Sequence, residues 1–359
     1  MREYANNGMQ NMNNIENIRT VRARAPLRLG LAGGGTDVAP YSEIHGGLVL
    51  NVTIDRYAYA TISQRQDGVV SFFNADNERF WSGPAASSLQ VVPGLELHCG
   101  VYNRIAKSFG NSKLLALDIT THSEAPPGSG LGSSSTMVVA LVRGFAEYLS
   151  LPLGDYDVAQ LAFEIERVDL LMAGGKQDQY AAAFGGLNFI EFYKDRVIVN
   201  PLRLKPHHRA ELEASLVLYF TGVSRESAAI IKQQVSHMEA GSQQSMDGLH
   251  ALKSDAIVMK EAVLKGDLQG LANAMQRSWT AKKLTAESVS NAAIDEVFDA
   301  AMKNGALAGK VSGAGGGGFM IFIAEPTQRA KLMRCLSSFP GQVMTCGFVN
   351  YGAHAWKVK

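Results

Sequence analysis

The chain has 359 residues, 46% of them hydrophobic, with 34 Lys and Arg against 33 Asp and Glu. That length suits two domains or one large one with a substantial core. A formal charge of +1 offers no general attraction to nucleic acid or anionic membrane, and no run of about eighteen apolar residues marks a transmembrane helix.

In chain order, residues 1–20 read as a flexible leader, Asn-rich and without the apolar stretch of a signal peptide. From Val21 the pattern becomes globular; Arg22 to Ala32 alternates like a strand and runs into Gly33, Gly34, Gly35, Thr36 and Asp37. Leu48 to Ile54 and Tyr57 to Ile62 read as two further strands, rich in β-branched and aromatic residues. Leu114 to Thr120 is another, entering a Gly/Ser segment from Pro126 to Ser135, after which Thr136 to Leu149 reads as a buried helix. Asp155 to Met172 has helical spacing, with Val158, Leu161, Ala162, Ile165, Val168 and Leu171 on one face. Gly174 and Gly175 end it.

The polar, Pro- and His-containing stretch Pro201 to Glu213 is the candidate boundary. Beyond it come a strand (Ser215 to Phe220), a helical region from Ser224 to Ala308 in several segments, a second glycine cluster from Gly313 to Gly318, and a strand from Phe319 to Ile323. Interleaved strands and helices in both halves predict an α+β fold. Cys99, Cys335 and Cys346 are odd in number and lack metal-ligand spacing, which fits a reduced, cytoplasmic setting better than a disulfide framework.

The 36 glycines are about 10% of the chain, against a usual ~7%, and they cluster where chemistry is expected. Pro127, Gly128, Ser129, Gly130, Leu131, Gly132, Ser133, Ser134 and Ser135 follow a strand and open a helix. Glycines let backbone approach a phosphate, and a helix start offers unpaired N–H groups and a favourable dipole. No Lys follows the last glycine as in a P-loop, and Ser133 stands where a dinucleotide fingerprint needs its third glycine. Thr36 and Asp37 offer a hydroxyl and a carboxylate to a polyol, although an ordinary tight turn has the same composition. Lys310 to Gly318 has small residues that permit close packing before a strand. Glu166 and Asp178 are carboxylates suited to magnesium and to a nucleophilic hydroxyl.

Together, Ala25 to Asp37, Pro127 to Ser135 and Lys310 to Gly318 resemble, in order, the three motifs of the GHMP small-molecule kinases. The Gly-Gly-Gly-Thr-Asp form of the first motif, with Trp279-Thr-Ala-Lys-Lys283 before the third, is similar to the sugar-kinase branch containing heptose 7-phosphate kinases and L-fucokinases. The resemblance implies the two-domain GHMP kinase fold: an N-terminal α+β domain over 21–205 and a ferredoxin-like C-terminal α+β domain over 206–359, with ATP and substrate between them. It implies that Pro127 to Ser135 bind ATP and that Ser134 and Glu166 hold Mg2+. It further implies that Asp178 orients or deprotonates the acceptor hydroxyl, and that Arg28 stabilises the transferring phosphoryl group. Gly33, Gly34, Gly35, Thr36, Asp37, Asp178, Gly315 and Gly316 would then face the sugar, under a third motif that closes over the site. The implied reaction converts D-glycero-D-manno-heptose 7-phosphate to the 1,7-bisphosphate for nucleotide-activated heptose and cell-surface polysaccharide synthesis.

A phosphosugar partner also needs a distal cation. Arg225 is the first candidate and Lys282 or Lys283 the next, although that lysine pair also reads as a solvated helix face. A free-sugar kinase such as a fucokinase, and a kinase-like nucleotide-dependent sensor without turnover, are the alternatives. Neither a nucleic-acid nor a membrane partner is expected, and monomer and homodimer both stay open.

Overall fold

A computed structural model of the chain describes residues 19–110, 114–223 and 227–359. Most of the expected leader 1–20, and Arg225, lie outside the described residues; Thr20 already belongs to the first strand.

Strand β1 (Thr20–Ala32) alternates exposed and buried residues up to Arg24 and is buried on both faces from Ala25 onward. It therefore serves two cores. Val21 and Ala25 join one, while Leu27, Leu29 and Leu31 join another. Its partner β2 (Gly47–Gln64) is one continuous strand rather than the two expected. The exposed Asp55 and half-exposed Arg56 interrupt the hydrophobic pattern but not the extended backbone, because the Asp55 amide donates to the Gly347 carbonyl (2.9 Å). On its other side β2 changes partner midway. Its second half pairs with β5 (Leu117–Ser123), its first half with β6 (Leu187–Phe192), which continues to β7 (Val197–Pro201). With β3 (Val69–Asn74) parallel to β5, β4 (Arg79–Pro84) at the edge, and β12 (His354–Lys357) on the far side of β1, the sheet has eight strands.

The helix Ser133–Leu149 lies across this sheet. Val138, Leu141, Val142 and Phe145 are fully buried with Ile62, Phe72 and Ile119, each such side chain contributing about 1.5–3 kcal/mol of transfer free energy. The close fit fixes where the helix begins, and hence where its first turn points.

In the second half, β8 (Leu216–Phe220), β9 (Ala306–Val311), β10 (Phe319–Ala324) and β11 (Gln342–Met344) form an antiparallel sheet in the order β11-β8-β10-β9. This is the strand order of a ferredoxin-like unit. Strand β9 takes residues 306–308 from the end of the expected helical region.

The junction at 205/206 falls just before the helix Pro206–Ser215, yet 206–359 does not stay together as one unit. Strand β12 pairs antiparallel with β1, and the Ala353 amide donates to the Ala182 carbonyl (2.9 Å), so the chain's end completes the first sheet. The halves also share a core, since Leu27, Leu29 and Leu31 pack in one cluster with Leu218, Met259 and Ile321.

Candidate active site

All three glycine clusters converge on one cleft of about 400 Å³. In the second cluster Gly128, Gly130 and Gly132 all have left-handed φ, between 72° and 81°, a conformation that disfavours any Cβ. Gly132 precedes the helix Ser133–Leu149, whose first turn has no acidic residue and no side-chain cap. Its N–H groups are therefore oriented toward an anion rather than neutralised. Ser133, Ser134 and Ser135 line the cleft; Ser129 and Leu131 are buried beneath it.

The third cluster supports this loop from behind. The Phe319 amide donates to the Ser129 carbonyl (2.8 Å) and the Ser312 hydroxyl to the Gly130 carbonyl (2.8 Å), while a Cβ on Gly318 would overlap the Ser129 carbonyl. Gly313 and Ala314 reach the cleft. Gly315 and Gly316, expected at the substrate, do not: both are buried, and the Gly316 amide donates to the Val289 carbonyl (2.8 Å). A run of small residues cannot reveal which of them faces a ligand and which packs against backbone.

Arg28, 3% exposed, reaches across to Asp178 on the first turn of the helix Gln177–Phe184. Its Nε and Nη2 both donate to Asp178 Oδ1 (2.7 and 2.6 Å), and Nη1 donates to the Gly130 carbonyl (2.6 Å). One oxygen of Asp178 thus takes the guanidinium. Oδ2 has no hydrogen-bond donor among the described residues and lies beside Gly132, 3.1 Å from where a Cβ would stand.

Glu166 is turned inward by a feature absent from the expected regular helix. The α-helix ends at Glu164, and Ile165–Asp169 is a π-turn. The extra residue rotates the following face, leaving Val168, expected on the apolar side, 58% exposed and Glu166 buried, while Leu171, also expected there, lies beyond the helix end with a φ of 53° and is 82% exposed. Its carboxylate accepts from Ser134 Oγ (3.2 Å), Ser135 Oγ (3.1 Å) and Gln179 Nε2 (2.6 Å). Burial pushes its pKa up, opposed by the nearby Arg167 and by the bonds from Ser135 and Gln179.

The first cluster is largely self-satisfied. The Thr36 hydroxyl donates to the Gly33 and Leu48 carbonyls and accepts from the Leu48 amide. Fully buried, it closes the turn and cannot meet a sugar. Asp37 lines the cleft, but its oxygens accept from the Gly35 and Gln177 amides and from Gln177 Nε2. It anchors the start of the helix that presents Asp178.

Gln177 and Arg167, which the sequence did not single out, line the cleft with Lys282, one of the distal-cation candidates, and Gln179, likewise unexpected, is buried behind it on Glu166. Polar Gln177 and Gln179 flanking Asp178 were the available signal. Lys282 is 5% exposed, not a solvated helix face, whereas Lys283 is exposed near Asp295. Lys176 points away over the Phe163 ring. Behind the cleft, Lys310 Nζ donates to the Gly30 and Leu31 carbonyls (2.9 and 3.3 Å), where β1 shifts register.

Burial, with repulsion from Lys282 and Arg28, lowers the Lys310 pKa to about 7. The unfolded chain, with an ordinary lysine, binds more protons between that value and about 10.4, so this group makes stability rise with pH across that window. Lys310→Met should therefore show a smaller rise of Tm between pH 7 and pH 9 than the parent, by calorimetry. Parallel curves for the two proteins would refute the assignment.

Comparison with known proteins places this geometry in a class. Residues 96–186 match the GHMP kinases N terminal domain and residues 259–340 the GHMP kinases C terminal domain. The chain belongs to the GHMP kinase family, and it is a kinase. It is 45% identical over 342 residues to D-glycero-alpha-D-manno-heptose 7-phosphate kinase of Campylobacter jejuni, covering 95% of this chain and all of that protein. A crystal structure described as a D-glycero-D-manno-heptose 1-phosphate kinase from Bacteroides thetaiotaomicron superimposes with a TM-score of 0.81 at 45% identity, covering 94% of this chain and 99% of that one. The Lactococcus lactis galactokinase, at 15% identity and a TM-score of 0.73 over 98% of both chains, shares the fold. No helix among the described residues is long and apolar enough to cross a membrane.

Proposed function

We propose that the chain transfers the γ-phosphoryl group of ATP to the anomeric hydroxyl of D-glycero-D-manno-heptose 7-phosphate, giving ADP and the 1,7-bisphosphate. The observation that carries this reading is Asp178. Its Oδ1 is held by Arg28, and its Oδ2, beside the glycine loop, has no donor among the described residues. A sugar hydroxyl donating to Oδ2 is oriented there. As its oxygen bonds to phosphorus, the bond to the ADP oxygen breaks and the hydroxyl proton passes to the carboxylate. An anomeric hydroxyl is more acidic than an ordinary alcohol, so one carboxylate suffices.

Backbone N–H groups over Gly128 to Ser135 bind the polyphosphate in this reading, since the loop is braced by Ser312 and Phe319 and opens on an uncapped helix. The Arg28 guanidinium holds Asp178 and lies where charge develops on the phosphoryl oxygens. Asp37 and Gln177 fix the helix start that aims Asp178.

The residues fit a magnesium ion. Among the described residues no group of three or more His, Cys, Asp or Glu could hold a metal, but Glu166 offers a buried carboxylate beside the Ser134 hydroxyl. One carboxylate and a hydroxyl, completed by phosphate oxygens and water, is a donor set Mg2+ accepts. Glu166 and Ser134 would hold the ion, which would neutralise charge on the phosphates.

The test is ADP release with ATP and Mg2+ against heptose 7-phosphate, free heptose, fucose, galactose and mevalonate, with phosphorus NMR of the product. Turnover of heptose 7-phosphate giving a new anomeric phosphate is expected. Turnover restricted to an unphosphorylated sugar would replace the substrate, and nucleotide binding without turnover would overturn the reaction.

A further inference from the structure

The helix Leu268–Lys283 brings Lys282 into the cleft on its last turn, where the ammonium is buried. Its Nζ donates to the Gly34 carbonyl (2.9 Å), one acceptor for a group with three N–H donors. Among the described residues no carboxylate lies within ion-pair distance. Asp37 is near enough to raise the Lys282 pKa, but its own oxygens are taken by Gly35 and Gln177. Gly35 has no side chain where a Cβ would stand 2.8 Å from Nζ, so the turn leaves the ammonium its room. An under-partnered buried cation is costly. A ligand anion arriving in the cleft would offset that cost.

Two anions meet in this cleft under the proposed function: the nucleotide polyphosphate and the phosphate already on the sugar. Position separates them. The glycine loop is contacted by Arg28, Ser312 and Phe319, whereas Lys282 is tied to the Gly33–Asp37 turn and neighbours Gln234 at Gly35. We propose that Lys282 is a specificity-determining residue that binds the phosphate monoester of the sugar substrate. This inference rests on the heptose-phosphate reading above. The unpaired N–H groups of Lys282 donate to that phosphate while the third stays on Gly34, which fixes the sugar relative to Asp178. Burial lowers the Lys282 pKa to about 8 in the free protein, and a bound dianion favours the charged form.

The experiment compares wild type, Lys282→Met and Lys282→Arg, with kcat and KM measured for heptose 7-phosphate, free heptose and ATP. Losing a charge-assisted bond in a desolvated site corresponds to roughly 10- to 100-fold. Lys282→Met is expected to raise KM for heptose 7-phosphate by about that factor, with a much smaller change in kcat, and to collapse the preference for phosphorylated over free heptose. Lys282→Arg should recover part of the preference. Three results would overturn the proposal: a rise in KM confined to ATP, an equal loss on both sugars, or a fall in kcat with KM unmoved. Thermal unfolding of each variant shows whether the turn still folds; a variant that unfolds early yet keeps wild-type preference also counts against it. The wild-type measurements alone decide the underlying reading, because a parent enzyme that does not favour the phosphorylated sugar refutes that reading whatever the variants do.

Discussion

Replacing Asp178 by asparagine is expected to lower kcat by about 10²- to 10⁴-fold, the usual range for a positioned proton acceptor. The substitution keeps the volume and an acceptor oxygen for Arg28, so the hydrogen bonds from Nε and Nη2 to Oδ1 survive in neutral form. What is lost is the basic Oδ2 beside Gly132. KM for ATP should change little, because the glycine loop and its supports are untouched. Steady-state kinetics over a range of both substrates checks this. A variant retaining more than a third of the parent kcat would mean that Asp178 only anchors Arg28, and the proton would have to be taken elsewhere.

Gly130→Ala should be nearly as damaging, for a steric reason. At φ of 81° any L-residue is strained, and the new methyl would overlap the Ser312 carbonyl, which backs the loop. Gly68→Ala is the control: its φ is 73°, but a methyl there meets nothing within 4 Å. The control isolates the backbone conformational cost, about 1–2 kcal/mol. Gly130→Ala should show that cost and, in addition, a rise of at least tenfold in KM for ATP, with kcat reduced as Arg28 loses its register with the Gly130 carbonyl. Equal behaviour of the two variants in denaturant melts and in kinetics would show that the loop shifts freely and does not depend on its contact with the third glycine cluster and β10.

Much of this site was legible before any fold was known. Gly128, Gly130 and Gly132 before a hydroxyl run and an apolar helix read as a loop suited to an anion, and the left-handed φ at all three explains why glycine stands at each. Arg28 and Asp178, to which the resemblance gave roles at one reacting centre, meet across 150 residues. Other expectations failed for identifiable causes. Thr36 has the chemistry of a sugar ligand, but its hydroxyl is consumed by backbone, and nothing local in Gly-Gly-Gly-Thr-Asp distinguishes the two uses. Lys282 and Lys283 are adjacent and identical, yet one is buried and one exposed, because helix packing selects a single face.

Local chemistry, then, was determined by the amino-acid sequence alone: the types of the strands and helices read from it, the glycine loop, the order of the three motifs, and the presence of the carboxylates Glu166 and Asp178. Tertiary structure alone decided which way those groups face. A π-turn turned Glu166 inward, β10 pressed the third glycine cluster against the loop and carried Gly315 and Gly316 away from the cleft, and β12 returned to the first sheet. The division is physical. Propensity, turn chemistry and donor type act within a few residues and are written in the local sequence, whereas burial, backbone-to-backbone approach and the sharing of hydrogen-bond partners depend on segments hundreds of residues apart and exist only once those segments are packed.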